Sequence, residues 1–154
     1  MTEAFTTEET VSVAGEKAWA ALTDLANAPV WIPGIDSMTL SGDLVPGAVV
    51  TLHTRGKENT STITELDPGR SMTLRSVQGG VTADYVYRVE TLTDATSRVI
   101  LTADVMTAGA MKLLGPVIRS AISKADGTQL ARFKEFVERG AREQGIDRPR
   151  PHAL

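Results

Sequence analysis

PVIRSAISKADGTQLARFKEFVERG, residues 116–140, carries its apolar side chains at helical spacing. At about 3.6 residues per turn, Ile118, Ile122, Ala125, Gln129, Phe133 and Phe136 share one stripe, flanked by Met111, Leu130 and Val137. Arg119, Lys124, Glu135, Glu138 and Arg142 fall away from its centre. The pattern extends over Ala110–Arg142 and predicts one long amphipathic helix. About thirty residues at a rise of about 1.5 Å make about 45 Å, longer than a small domain needs unless a curved surface cradles the helix. Gly115-Pro116 interrupts the pattern, and proline suits the first position of a helix. The continuous helix can therefore begin near Pro116, after a short helical turn over Ala110–Leu114. Asp126 and Gln129 sit in or beside the apolar stripe, next to Gly127, which weakens a helix by up to about 1 kcal/mol relative to alanine. Two readings stay open: a kink that turns these groups to solvent, or a wet cavity that they face.

Working outward, the preceding chain supplies that curved surface. Phe5–Val13 alternates weakly and is rich in β-branched residues, which predicts a strand. GEKAWAALTDLANAPVW, residues 15–31, reads as helical, with Ala18, Trp19, Leu22 and Leu25 on its apolar face. Pro29 ends this helix or separates it from a second short one. Strand-like runs then follow at short spacing: Ile35–Ser41, Ala48–Thr54, Thr60–Leu66, Ser71–Val77, Val81–Glu90 and Arg98–Met106. Asp67-Pro68-Gly69 and Gly79-Gly80 are turn signals between them. Short connections imply antiparallel neighbours, and an antiparallel sheet with one apolar face needs a cover. The order predicts an α+β domain: a curved antiparallel sheet of about seven strands wrapped around the C-terminal helix, with two short helices after the first strand.

Composition bounds the function. The chain has 154 residues and a formal net charge of −3, expected to form a single domain over residues 1–143, with a flexible tail over 144–154. It has no cysteine and two histidines, which excludes disulfides, thiolate metal sites and a cysteine nucleophile and speaks against a histidine-rich metal centre. No metal and no cofactor are expected. The acidic balance argues against nucleic acid as a partner. The N-terminus is polar and acidic, unlike a signal peptide, and no apolar run approaches the roughly 20 residues of a membrane span. The expectation is a cytoplasmic protein, monomer or homodimer, without stable membrane insertion.

Candidate chemistry is sparse. Tyr85 and Tyr87 share a strand face with Val81, Ala83 and Val89, opposite Asp84, Arg88 and Glu90, so their hydroxyls should point inward and need partners. Core tyrosines and pocket-lining phenols fit this pattern equally. The face of His53 in Val49–Arg55 is undecided. Arg75 and Asp104 are expected to face outward. Trp31-Ile32-Pro33-Gly34 is an apolar loop, either a plug closing the core or a lip at a pocket mouth. No glycine-rich phosphate loop, nucleophile elbow or paired-histidine motif is present.

Four stretches carry a resemblance to a known superfamily. They are the opening strand running into GEKAWAALTDLANAPVWIPGI; ITELDPGRSMTLRS, which starts at Ile63; Tyr85-x-Tyr87-x-Val89 followed by a turn and Ser97-Arg98-Val99; and the terminal LARFKEFVERG. In order and spacing they resemble the START-like, polyketide cyclase/dehydrase-like (SRPBCC) proteins and their birch-pollen-allergen relatives of the helix-grip fold. The resemblance covers most of Val11–Arg139. It implies a deep, mostly apolar cavity between sheet and helix, and ligands such as lipids, sterols, polyketides or quinones. It carries over no catalytic residue set.

By alternation and stripe, the expected ligand-binding residues are Trp31, Ile63, Tyr85, Tyr87, Leu101, Met106, Ile118, Ile122 and Gln129, with Leu52 or His53 and Val99 also placed near the cavity. Three functions follow. The first is a carrier or sensor of an apolar small molecule. The second is a cyclase or dehydratase using Tyr85, Tyr87, His53 or Asp126 as acid/base groups. The third is an interaction module of the same fold, marked by an exposed apolar patch.

Overall fold

Alternating apolar positions draw seven stretches into one antiparallel sheet. The computed structural model describes residues 1–147, with side chains through residue 142. The strands are β1 (Thr2–Val11), β2 (Ser37–Leu40), β3 (Val49–Thr54), β4 (Lys57–Asp67), β5 (Ser71–Gln78), β6 (Val81–Thr93) and β7 (Thr96–Thr107). Their spatial order is β1-β7-β6-β5-β4-β3-β2. Two short helices, α1 (Gly15–Thr23) and α2 (Ala28–Trp31), connect β1 to β2 at the far edge of the sheet. A 3₁₀ turn over Leu25–Asn27 separates them. Pro29 lies in the first turn of α2 rather than ending a helix, where its missing N–H costs nothing.

The sheet is bent by register shifts between Glu3 and Phe5, Ile63 and Glu65, and Thr91 and Thr93. An extra residue in one strand increases local twist and bends the ladder. The inward face carries Val99, Leu101, Ala103 and Val105 of β7, all buried, in strict alternation with less buried neighbours. On the outward face, Arg75 grips Asp84 with two hydrogen bonds of 2.7 and 2.8 Å. Asp84 in turn sits opposite Asp104.

The C-terminal helical segment closes the concave side. It is entered by a 3₁₀ segment over Gly109–Leu114, which leaves Leu113 90% exposed. The expected single helix is divided into α3 (Gly115–Asp126) and α4 (Gln129–Asp147). The break falls at Gly127, whose backbone is ordinary right-handed helix (φ −65°). Glycine is needed there for space: a Cβ would lie 2.5 Å from the Ser123 carbonyl oxygen. α4 runs past the expected domain limit at residue 143 to Asp147. The rest of the expected tail, 148–154, lies outside the described residues. α4 packs on β1 and α2. There Trp31 meets Phe133 edge-on at 5.0 Å and Tyr87 at 6.2 Å between ring centroids. This architecture is the helix-grip fold.

Candidate functional site

Between the sheet and the helix junction lies a cavity of about 380 Å³. Its apolar wall comes from the concave strands and the loop after α2: Ile32, Ile35, Met38, Leu52 and Leu74. Asn59, Ser61 and Ser76 add small polar groups at inward positions of β4 and β5. Gly34, Arg55 and Ala125 are exposed lining residues and mark its mouth. Arg55 is placed there by a tight turn between β3 and β4 and has φ +53°, uncommon for a non-glycine residue. Gly56 continues the turn at φ +81°.

One end of the cavity is a hydrogen-bonded network. Tyr85 donates its hydroxyl to Asp126 Oδ2 at 2.9 Å. Tyr87 donates to Gln129 Oε1 at 2.7 Å. Gln129 Nε2 then donates to Asp126 Oδ1 at 3.0 Å. Two neighbouring inward residues of β6 thus meet two residues flanking the α3–α4 break. The break turns Asp126 and Gln129 toward the cavity; the reading in which they turn to solvent is overturned. Burial pushes the Asp126 carboxyl above its usual range, and the bonds from Tyr85 and Gln129 pull against that shift. Burial, reinforced by the negative charge of Asp126, also raises both tyrosines, so their hydroxyls stay protonated and can donate.

The residues expected to bind ligand separate into four groups. Tyr85, Tyr87 and Gln129 come together at the cavity. Ile118 and Ile122 line a neighbouring chamber of about 300 Å³ with Val81 and Ala83. Trp31, Ile63 and Leu101 are sealed in the core at 2%, 0% and 0% exposure, and Val99 is buried with them, so these four support the wall without facing the cavity. Met106 is corrected outright: it is 48% exposed on the outer face of β7, because its parity is opposite to that of Val105 and Leu101. The apolar loop divides as well, Trp31 acting as plug and Ile32–Ile35 as lip.

Leu52, not His53, faces the cavity. The His53 imidazole lies on the outer face between Ser37 Oγ at 3.1 Å and Glu58 at 3.2 Å, its partners across the strands. It is thereby removed from the acid/base candidates. Expectation passed over Met38, Leu74 and Ser76. The last two follow from the outward reading of Arg75, since their parity is opposite. Asn59 and Ser61 carry the clearest missed signal, polar residues in the inward register of Ile63.

A family model described as polyketide cyclase/dehydrase and lipid transport matches residues 2–138. The chain belongs to that family. Its place in the wider START-like (SRPBCC) superfamily is shared with structural neighbours. The Zhui aromatase/cyclase from Streptomyces sp. R1128 superposes with a TM-score of 0.71 at 22% identity, covering 92% of this chain and 96% of that one. One domain's length of the di-domain aromatase/cyclase BexL superposes with a TM-score of 0.74 at 21% identity, covering 90% of this chain and 47% of BexL. Norcoclaurine synthase from Thalictrum flavum gives a TM-score of 0.65 at 14% identity, covering 89% and 94%. At these identities the likenesses show the fold. No curated protein matches the chain in sequence. Among the described residues, no group of acidic and histidine side chains is arranged to hold a metal ion. No helix there is long and apolar enough to cross a membrane.

Proposed function

We propose that the protein binds an apolar small molecule bearing one or a few oxygen atoms, as a carrier or sensor. The observation that carries this reading is an apolar-walled cavity with a polar end whose groups are already paired with one another. Such pairing keeps the site stable when empty, because buried hydroxyl and carboxyl groups without partners are costly. A ligand oxygen near Tyr85 can exchange into the network, while the walls of Met38, Leu52 and Leu74 take up the apolar body. Arg55 at the mouth suits a ligand whose outer end is polar.

Native mass spectrometry of freshly purified protein, with solvent extraction of bound material, tests this. The expected result is one apolar molecule per chain, displaced in a Leu74→Trp variant that fills the cavity. Absence of any adduct, together with no binding of apolar fluorescent probes, would sink the carrier reading.

A second reading rests on the Tyr85–Asp126 pair. A carboxyl raised by burial beside a protonated phenol is suited to proton transfer. In a cyclase or dehydratase, Asp126 would take a proton from the carbon next to a ligand carbonyl, and Tyr85 would hydrogen-bond the enolate oxygen. Deuterated buffer distinguishes the two readings. An extracted ketone ligand would exchange that hydrogen on the native protein, with little exchange on Asp126→Asn. Equal, slow exchange on both leaves binding alone.

A further inference from the structure

The space under the C-terminal helix is not one cavity but two chambers in line. On β6, Val81 and Ala83 line the smaller chamber and Tyr87 lines the larger one. On the helical side, Ile118 and Ile122 line the smaller chamber, and Asp126 and Gln129 the larger. Tyr85 lines both. Its hydroxyl reaches from the sheet to Asp126 across the gap, at the same level along each element. The 2.9 Å hydrogen bond is therefore a crossbar between the chambers. Ser76 and Gln78 on β5 also belong to both, so the floor runs on beneath it.

The crossbar differs from the bond next to it. Tyr87 is 3% exposed, wedged against Trp31, and its partner Gln129 is 2% exposed. Tyr85 is only partly buried, and Asp126 keeps a second donor in Gln129 when Tyr85 leaves. Breaking this bond frees Asp126 Oδ2 while Oδ1 stays bonded to Gln129, and the freed phenol can donate to whatever displaced it. Each chamber alone falls near the bottom of the roughly 300–1,000 Å³ range of small-molecule sites.

We propose that the Ile118–Ile122 chamber is a second binding subsite, and that the ligand is an elongated apolar molecule that threads past Tyr85 into both chambers. The Tyr85 hydroxyl then donates to an acceptor oxygen partway along the ligand, in place of Asp126. This rests on the binding function proposed above and adds the shape and oxygen position of the ligand.

Two neutral fluorescent probes of similar apolar bulk separate the ideas: compact phenylnaphthylamine and rod-shaped diphenylhexatriene. Ile122→Trp and Ile118→Trp each fill the smaller chamber. Each should lower the rod-to-compact affinity ratio about tenfold, since the rod loses a well-packed end. Tyr85→Phe removes the crossbar's hydrogen bond and should raise that ratio about three- to tenfold, the net worth of one such bond. Thermal melts confirm that the variants fold. A ratio unchanged in both tryptophan variants, with the compact probe still bound, overturns the second subsite and leaves the binding function standing. Failure of both probes to bind the native protein overturns the binding function and the inference together.

Discussion

α4 buries Leu130, Phe133 and Val137 at 1%, 0% and 8% exposure, whereas α3 buries only Gly115. The two helices look alike as amphipathic sequence, yet α4 sinks its apolar residues into the core while α3 borders hollow space. Ile118 and Ile122 of α3 line a chamber, with Ile122 only partly buried at the edge of the core. The fastening of α4 comes from α2, which brings Trp31 into edge-on contact with Phe133. Among the described residues no α-helix packs on α3 as α2 packs on α4, and the hold of α3 on the sheet includes the Tyr85–Asp126 bond and contacts with β1 and β7. Dense packing and hollow space are thus assigned to different halves of one helical segment. Regions with few buried apolar contacts open locally at low cost, so α3 is the half expected to open first.

The contrast is broken most sharply by truncation. Phe133→Ala should cost about 3–5 kcal/mol, the usual penalty for emptying an aromatic core position. Ile122→Ala, half-buried over the chamber, should cost less than about 2 kcal/mol. Urea unfolding of the two variants makes the comparison; equal costs would mean that α3 is as firmly packed as α4.

Next in size is Gln129→Leu, at the junction. It leaves the buried Tyr87 hydroxyl without an acceptor and Asp126 with Tyr85 as its one remaining donor, at a cost of about 1–3 kcal/mol. The double variant with Tyr87→Phe should recover part of this, because the orphaned hydroxyl is gone. Urea midpoints of the single and double variants check it.

The smallest effect is a pH dependence. Asp126 has a folded-state pKa above its unfolded value, so the folded protein holds its proton more tightly. The sign is therefore the reverse of an ion-paired carboxylate: stability falls as pH rises from about 4 through the folded value. Asp126→Asn keeps an acceptor for Tyr85 and removes this slope. Melting temperatures of the native protein and the variant should diverge in favour of asparagine as pH rises, and parallel curves would refute the buried-carboxyl account.

Strand parity made much of the site legible. Tyr85 and Tyr87 point inward as the alternation of β6 requires, and Arg75 points out. Parity also held the warning about Met106, which cannot share a face with Leu101 on an uninterrupted strand. Between Ile63, sealed in the core, and Leu74, on the cavity wall, parity says nothing: both face inward, and only the depth of packing above them differs. That depth depends on where the helix breaks. Gly127 signalled a weak point, but the direction in which Asp126 and Gln129 turned depended on partners some 40 positions earlier in the chain. His53 was undecidable because β3 has Val50 and Leu52 on one face and Val49 and Thr51 on the other, a contrast too slight to orient a short strand near the sheet edge.

The sheet ends in two unlike edges. β1 is ten residues long, with Glu3, Glu8 and Glu9 and no basic side chain; β2 has only the four residues Ser37–Leu40. An unpaired strand edge is a template on which another chain can assemble. A second copy laying its β1 against this one would bring carboxylates together along its length, and one approaching β2 would run out of backbone to pair with after four residues. An open, curved sheet can therefore hold a hollow interior without recruiting its neighbours into a fibre.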